Sequence, residues 1–76
     1  MKILLIGTGR MGRLMEEVAA EAGDTIVAAY DANNIEALAT ATHDADVVID
    51  FSSPAALPHV VDYVRRTGTA LLSGTT

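Results

Sequence analysis

The sequence predicts an α/β fold, a parallel sheet of four short strands flanked by helices. Three observations predict it. Apolar runs of strand length recur along the chain, separated by segments of helical periodicity. The first run, Ile3-Leu4-Leu5-Ile6, does not alternate, as expected of a central strand covered on both faces. Glycines at 7, 9 and 12 mark the joint between that run and the first helical segment.

The elements follow in order. After strand one, Met11, Leu14, Met15, Val18 and Ala22 recur at helical spacing, with Arg13, Glu16, Glu17 and Glu21 on the other face. Arg13 and Glu17 lie one turn apart, a supportive pair. Gly23 terminates this helix. Residues 25–30 form strand two, which ends at Asp31. Asn33 and Asn34 suggest a turn, and residues 35–41 a short helix. Residues 46–51 form strand three.

Ser53 followed by Pro54 reads as an N-cap and a first-turn proline, and Leu57, Val60, Val61 and Val64 then mark one helical face. Pro58 lacks an N–H and its ring clashes with the carbonyl four residues back, so this helix either starts irregularly or begins near Leu57. Arg65 and Arg66 favour its last turn, and Gly68 ends it. Residues 70–72 form strand four. Such alternation implies parallel pairing through right-handed crossovers. The expected strand order is 3-2-1-4, with a ligand crevice beyond the carboxyl end of strand one.

Composition narrows the function classes. Seventy-six residues make at most one small domain, and such a chain hides only about 60% of the surface that it exposes when unfolded. Five basic against ten acidic residues give a net charge of −5. Four of the five basic residues fall in two pairs, Arg10 with Arg13 and Arg65 with Arg66. Without a basic stripe, no nucleic-acid partner is expected. With no cysteine there is neither a disulfide framework nor a thiolate metal site. No apolar stretch approaches the ~20 residues of a membrane span, and the run after Lys2 is too short for a signal-peptide core. The expectation is a soluble cytoplasmic protein with no membrane partner.

Gly7, Gly9 and Gly12 give the spacing G-x-G-x-x-G of a Rossmann dinucleotide-binding turn. Gly7 makes the tight turn, Gly9 lets a pyrophosphate approach the backbone, and Gly12 lets the helix pack closely. The unpaired N–H groups at the helix start, with the helix dipole, point at that anion. Asp31, nineteen residues after Gly12, is placed to accept hydrogen bonds from the adenosine ribose. A carboxylate there repels a 2′-phosphate, and Ala32 follows instead of a basic residue. Both favour NADH over NADPH. Arg10 either reaches a 2′-phosphate, leaving NADPH possible, or is a solvated residue near the pyrophosphate.

Three stretches, "GTGRMGRLM", "DVVIDFSSPAAL" and "SGTT", together resemble the dihydrodipicolinate reductase family across essentially all 76 residues. The resemblance implies an NAD(P)H-dependent reductase of lysine and diaminopimelate synthesis, which reduces a cyclic imine-type substrate. It implies that Gly7, Thr8, Gly9, Arg10, Met11 and Gly12 form the phosphate-binding loop and that Asp31 binds the ribose. Phe51 and Ser52 are implied to pass the cofactor after strand three. Gly74, Thr75 and Thr76 are implied to line the nicotinamide side.

The chain departs from the family where many members carry G-x-x-G-x-x-G and a basic residue after the ribose acid. Family enzymes also continue into a substrate domain with a basic His/Lys segment, and nothing here matches it. Residues 1–76 are therefore expected to be a partial nucleotide-binding domain, ending after the fourth strand, with no catalytic residue of its own. The family is typically tetrameric through the other domain, so the resemblance also implies a homo-oligomer.

Other residues support weaker readings. His43 and His59, sixteen apart, read as ordinary surface histidines and not as metal ligands. Asp44 and Asp46 flank a strand entrance and are expected in solvent. Asp50, late in an apolar strand, is expected to be satisfied by neighbouring backbone N–H groups before it is a catalytic acid. Ser52, Ser53 and Ser73 have no paired base at a recognisable spacing. Two alternatives stay open beside the reductase. One is another NAD-linked enzyme, such as an aspartate-dehydrogenase-like domain. The other is a nucleotide-sensing module without chemistry.

Overall fold

A computed structural model of the chain describes residues 1–7, 9–52 and 54–74. The elements are β1 (Lys2–Ile6), α1 (Gly9–Ala22), β2 (Thr25–Tyr30), a 3-10 helix (Ile35–Thr40), β3 (Val47–Asp50), a 3-10 turn (Pro54–Ala56), α2 (Leu57–Thr67) and β4 (Ala70–Ser73). All strand pairs are parallel, and the sheet runs β2-β1-β3-β4.

This order corrects the expected 3-2-1-4: β3 lies beside β1, not outside β2. Burial explains it. Val48, Ile49 and Asp50 are all buried, so β3 needs neighbours and helices on every side, which an outer position beyond β2 does not provide. Lys2 and Asp46 lock the pairing at its start, since the Lys2 N–H donates to Asp46 Oδ2 (2.7 Å) and the Asp46 N–H to the Lys2 carbonyl (2.8 Å). The reversal of strand order now falls between β1 and β3. It still lies beyond the carboxyl end of β1, so the crevice keeps its place.

Alternate residues of β1 feed two core layers. Leu4 and Ile6, with Val48, meet Tyr30, Ile35, Leu38, Ala56, Val60 and Tyr63 below α2 and the 3-10 helix. Ile3 and Leu5, with Ile49, meet Ala19 of α1 and the half-buried Met15 and Phe51. Leu4, Leu5 and Ile6 are wholly buried, as a central strand requires. Each such side chain contributes about 1.5–3 kcal/mol by leaving water.

Helix α1 is turned from its expected apolar stripe. Gly12 and Ala19 are buried and Met15 half-buried, whereas Leu14 (52%) and Val18 (50%) are exposed. Small residues decide this, because Gly12 brings the helix so close to the preceding loop that the Gly12–Met15–Ala19 line must face the sheet. The helix closes with paired bonds from the Gly23 N–H to Ala20 and the Asp24 N–H to Ala19.

Helix α2 begins at Leu57, so Pro58 stands in the first turn, where its missing N–H has no partner to lose. The Ser53 N-cap lies outside the described residues. Gly68, left-handed as expected, caps the other end, and its N–H donates to the Val64 carbonyl. The short helix after β2 is 3-10 and buries Ile35 and Leu38, three apart, as that geometry favours.

The following connection is pinned from three sides. Arg66 Nη2 donates to the carbonyls of Leu38 and Ala41, both at 2.9 Å, and its guanidinium lies over the Tyr63 ring. The His43 N–H donates to the Tyr63 hydroxyl. His43 Nε2 shares a 2.7 Å hydrogen bond with the Tyr30 hydroxyl. His43 is thus half-buried in this cluster and not an ordinary surface histidine. Asp24 and Asp44 hold the Met1 ammonium and the Lys2 amine above their ordinary pKa values through direct hydrogen bonds.

Candidate functional site

Three chain crossings converge at the carboxyl ends of β1, β3 and β4. Gly7 leaves β1 at φ +96° and donates its N–H to the Tyr30 carbonyl at 2.7 Å. A Cβ on Gly7 would lie 3.0 Å from both the Phe51 carbonyl carbon and the Ser52 nitrogen. Backbone conformation and lack of space together require glycine there. The Phe51 N–H donates to the Ile6 carbonyl, fastening the ledge of residues 51–52 to the end of β1. Gly74 leaves β4 with its N–H on the Asp50 carbonyl, and a Cβ there would lie only 2.7 Å from a carbon of the Phe51 ring.

The turn then opens. A Cβ on Gly12 would lie 2.8 Å from the Gly7 carbonyl oxygen, so this glycine lets α1 approach its own loop, more than the sheet. A Cβ on Gly9 would meet nothing within 4 Å, which leaves its backbone accessible from outside. Beside it lies a groove of about 400 Å³ lined by Gly9, Arg10, Arg13 and Glu16. Met11 is in the first turn of α1. Thr8, Thr75 and Thr76 lie outside the described residues.

Asp31 follows the last residue of β2, on the same rim. Its Oδ1 accepts the Asn33 N–H (2.8 Å), and its own N–H donates to Asn34 Oδ1 (2.7 Å). These bonds fold residues 31–34 into an Asx turn, which sets the direction of the carboxylate.

Asp50 ends β3 and is wholly buried. Its Oδ1 accepts both the N–H (2.8 Å) and the hydroxyl of Ser52, while its Oδ2 has no partner among the described residues. The expected satisfaction by neighbouring donors therefore holds for one oxygen only.

Sequence reasoning placed Gly7, Gly9, Gly12, Phe51, Ser52 and Gly74 at one end of the sheet, and the structure gathers them there. It assigned no site role to Arg13 and Glu16, which line the groove. The i, i+3 spacing of Arg10 and Arg13 was the available signal. Among the described residues, no ion pair joins Arg13 to Glu17. Nor do three His, Cys, Asp or Glu side chains gather as a metal site there.

The family model described as "Dihydrodipicolinate reductase, N-terminus" matches residues 1–76. The chain belongs to the dihydrodipicolinate reductase family. It is 39% identical over 79 residues to a 4-hydroxy-tetrahydrodipicolinate reductase of an Exiguobacterium species, covering all of this chain and 32% of that protein. It is 38% identical over 78 residues to the enzyme of that name from Alkaliphilus metalliredigens, again 100% of this chain and 32% of the relative. For the Thermomicrobium roseum enzyme the identity is 36% over 94 residues, with shares of 100% and 36%. The chain thus spans about a third of the length of the curated relatives it matches.

The donors and acceptors of this rim have the chemistry to meet a diphosphate and a sugar. The open backbone at Gly9 lies beside a groove lined by two cationic side chains and one carboxylate, a net positive lining that suits an anion. A carboxylate on the neighbouring strand end has the acceptor capacity that sugar hydroxyls need. Among the described residues no helix is long and apolar enough to cross a membrane.

Proposed function

We propose that this chain is the nucleotide-holding part of a 4-hydroxy-tetrahydrodipicolinate reductase. One observation carries the reading: the Gly7–Gly12 turn opens at the β1/β3 switch point with Asp31 at the adjoining strand end. The first-turn N–H groups of α1, with Arg10, receive the diphosphate. Asp31 accepts the adenosine ribose hydroxyls. The ledge of residues 51–52 and the segment from Gly74 to Thr76 flank the nicotinamide. NADH is the preferred cofactor, because the Asp31 carboxylate repels a 2′-phosphate and Ala32 offers no compensating cation. NADPH remains accessible if Arg10 reaches that phosphate from the groove.

When bound, the reduced nucleotide supplies a hydride to a cyclic imine-type substrate of lysine and diaminopimelate synthesis. The chain's own residues hold and orient that nucleotide. Residues 1–76 form a partial domain, with the substrate and proton-donating groups elsewhere in a cytoplasmic homo-oligomer. The 76 residues on their own bind nucleotide and turn over no substrate.

Isothermal titration with NADH and NADPH tests this. NADH should bind about tenfold or more tightly than NADPH, the factor worth 1.4 kcal/mol. Asp31→Ala should weaken NADH and narrow the gap. Absence of binding by either nucleotide, or indifference of both to Asp31→Ala, refutes the reading.

A further inference from the structure

We propose that Asp50 is a positioning residue for the diphosphate, acting through Ser52 on the ledge that backs Gly7; the inference rests on the nucleotide reading above. Asp50 contributes nothing to the open groove, since it is wholly buried. What it does is fix Ser52. Two donors of Ser52, its N–H and its hydroxyl, converge on the single oxygen Oδ1. This pair of hydrogen bonds to one acceptor turns the chain at the end of β3. The same Ser52 nitrogen, with the Phe51 carbonyl carbon, stands 3.0 Å from where a Cβ of Gly7 would be. The position of Ser52 therefore limits how far the first glycine of the loop can retreat. The Gly7 carbonyl oxygen in turn stands 2.8 Å from where a Cβ of Gly12 would be, so the ledge, Gly7 and the start of α1 are in close contact.

The second oxygen marks this as more than ordinary turn chemistry. Oδ2 is buried with no hydrogen-bond partner among the described residues, and a buried polar atom without a partner is destabilising. An apolar residue would continue the buried run of β3 without that penalty, as Val48 and Ile49 do. The carboxyl group is placed there for the geometry it imposes on Ser52.

Three variants of the intact protein are titrated with NADH and with ADP-ribose, which share the diphosphate, and their thermal unfolding is followed in parallel. Asp50→Ala removes the acceptor. It should weaken ADP-ribose as well as NADH, by about tenfold, when measured well below its melting temperature. Asp50→Asn keeps one carbonyl oxygen for Ser52 and should restore affinity to within about twofold of the parent, with a melting temperature no lower. Ser52→Ala keeps the backbone donor and loses the hydroxyl, so a loss of about two- to fivefold is expected. It decides the matter if Asp50→Ala does not fold.

Parental affinity in a folded Asp50→Ala, or in Ser52→Ala, overturns the proposal. So does an Asp50→Asn as weak as Asp50→Ala, which would assign the role to the second oxygen. A loss confined to NADH would place the effect at the nicotinamide and overturn it as well. If the parent binds neither ligand, the nucleotide reading itself fails, a result distinct from all of these.

Discussion

At the scale of single residues, Gly12 shows how much one hydrogen atom in place of a methyl decides. A Cβ at this position would lie 2.8 Å from the Gly7 carbonyl oxygen, a backbone atom that can move only if the whole turn moves. Gly12→Ala is therefore expected to displace the loop and to melt lower by the equivalent of about 1–3 kcal/mol. Nucleotide affinity should fall with it. Thermal unfolding and calorimetric titration of the one variant check both outcomes. By contrast, a Cβ at Gly9 meets no neighbour, so the constraint that the structure shows there is its φ of +79°. The glycine spacing was legible in the sequence because it is a local pattern. Gly12 is crowded by Gly7 and Gly7 by the backbone of Phe51 and Ser52, and that second contact, with a distant part of the chain, is one that no local pattern reports.

At the scale of elements, the connection between β2 and β3 has little regular structure and is held by side chains of α2. Arg66 supplies two hydrogen bonds to its carbonyls and stacks on Tyr63, whose hydroxyl meets the backbone of His43. Arg66→Ala should lower stability by about 2 kcal/mol through the loss of its charge-assisted bonds to the Leu38 and Ala41 carbonyls. A thermal or urea titration checks it, and a variant as stable as the parent would show that the clamp is idle. Arg66 lies in the last turn of α2, as its place in the sequence predicts, and serves the tertiary fold as well. His43, expected at the surface, is half-buried against Tyr30 and Tyr63. A polar side chain carries no sign of the carbonyl or hydroxyl it will meet from a distant element. The rotation of α1 was missed for a related reason. Periodicity counted Leu14 and Val18 among the buried residues, but close packing through Gly12 and Ala19 turns them outward.

At the scale of the whole molecule, the sheet has β4 at one edge, with Leu71 and Leu72 exposed (36% and 60%). An edge of this kind, short but apolar and without charge, is a template for pairing with another strand. The 76-residue chain is expected to associate as its concentration rises. Leu72→Lys, which places a charge on that edge, should return it to a monomer. Sedimentation velocity over a range of concentrations reads this directly, and a parent chain that stays monomeric throughout would contradict it.

The number, type and sequence of the elements were readable from residues alone, as were the turn at the end of β1 and the acid at the end of β2. These follow from periodicity, glycine spacing and short-range chemistry, which act within a few residues. Strand order, the rotation of α1, the convergence of Gly7 with residues 51–52 and the burial of Asp50 with one unpartnered oxygen were settled by packing. Each depends on which distant surfaces compete for the same neighbour. β3 took the place beside β1 because its buried run needed covering on both sides, and that competition exists only once the whole chain has collapsed.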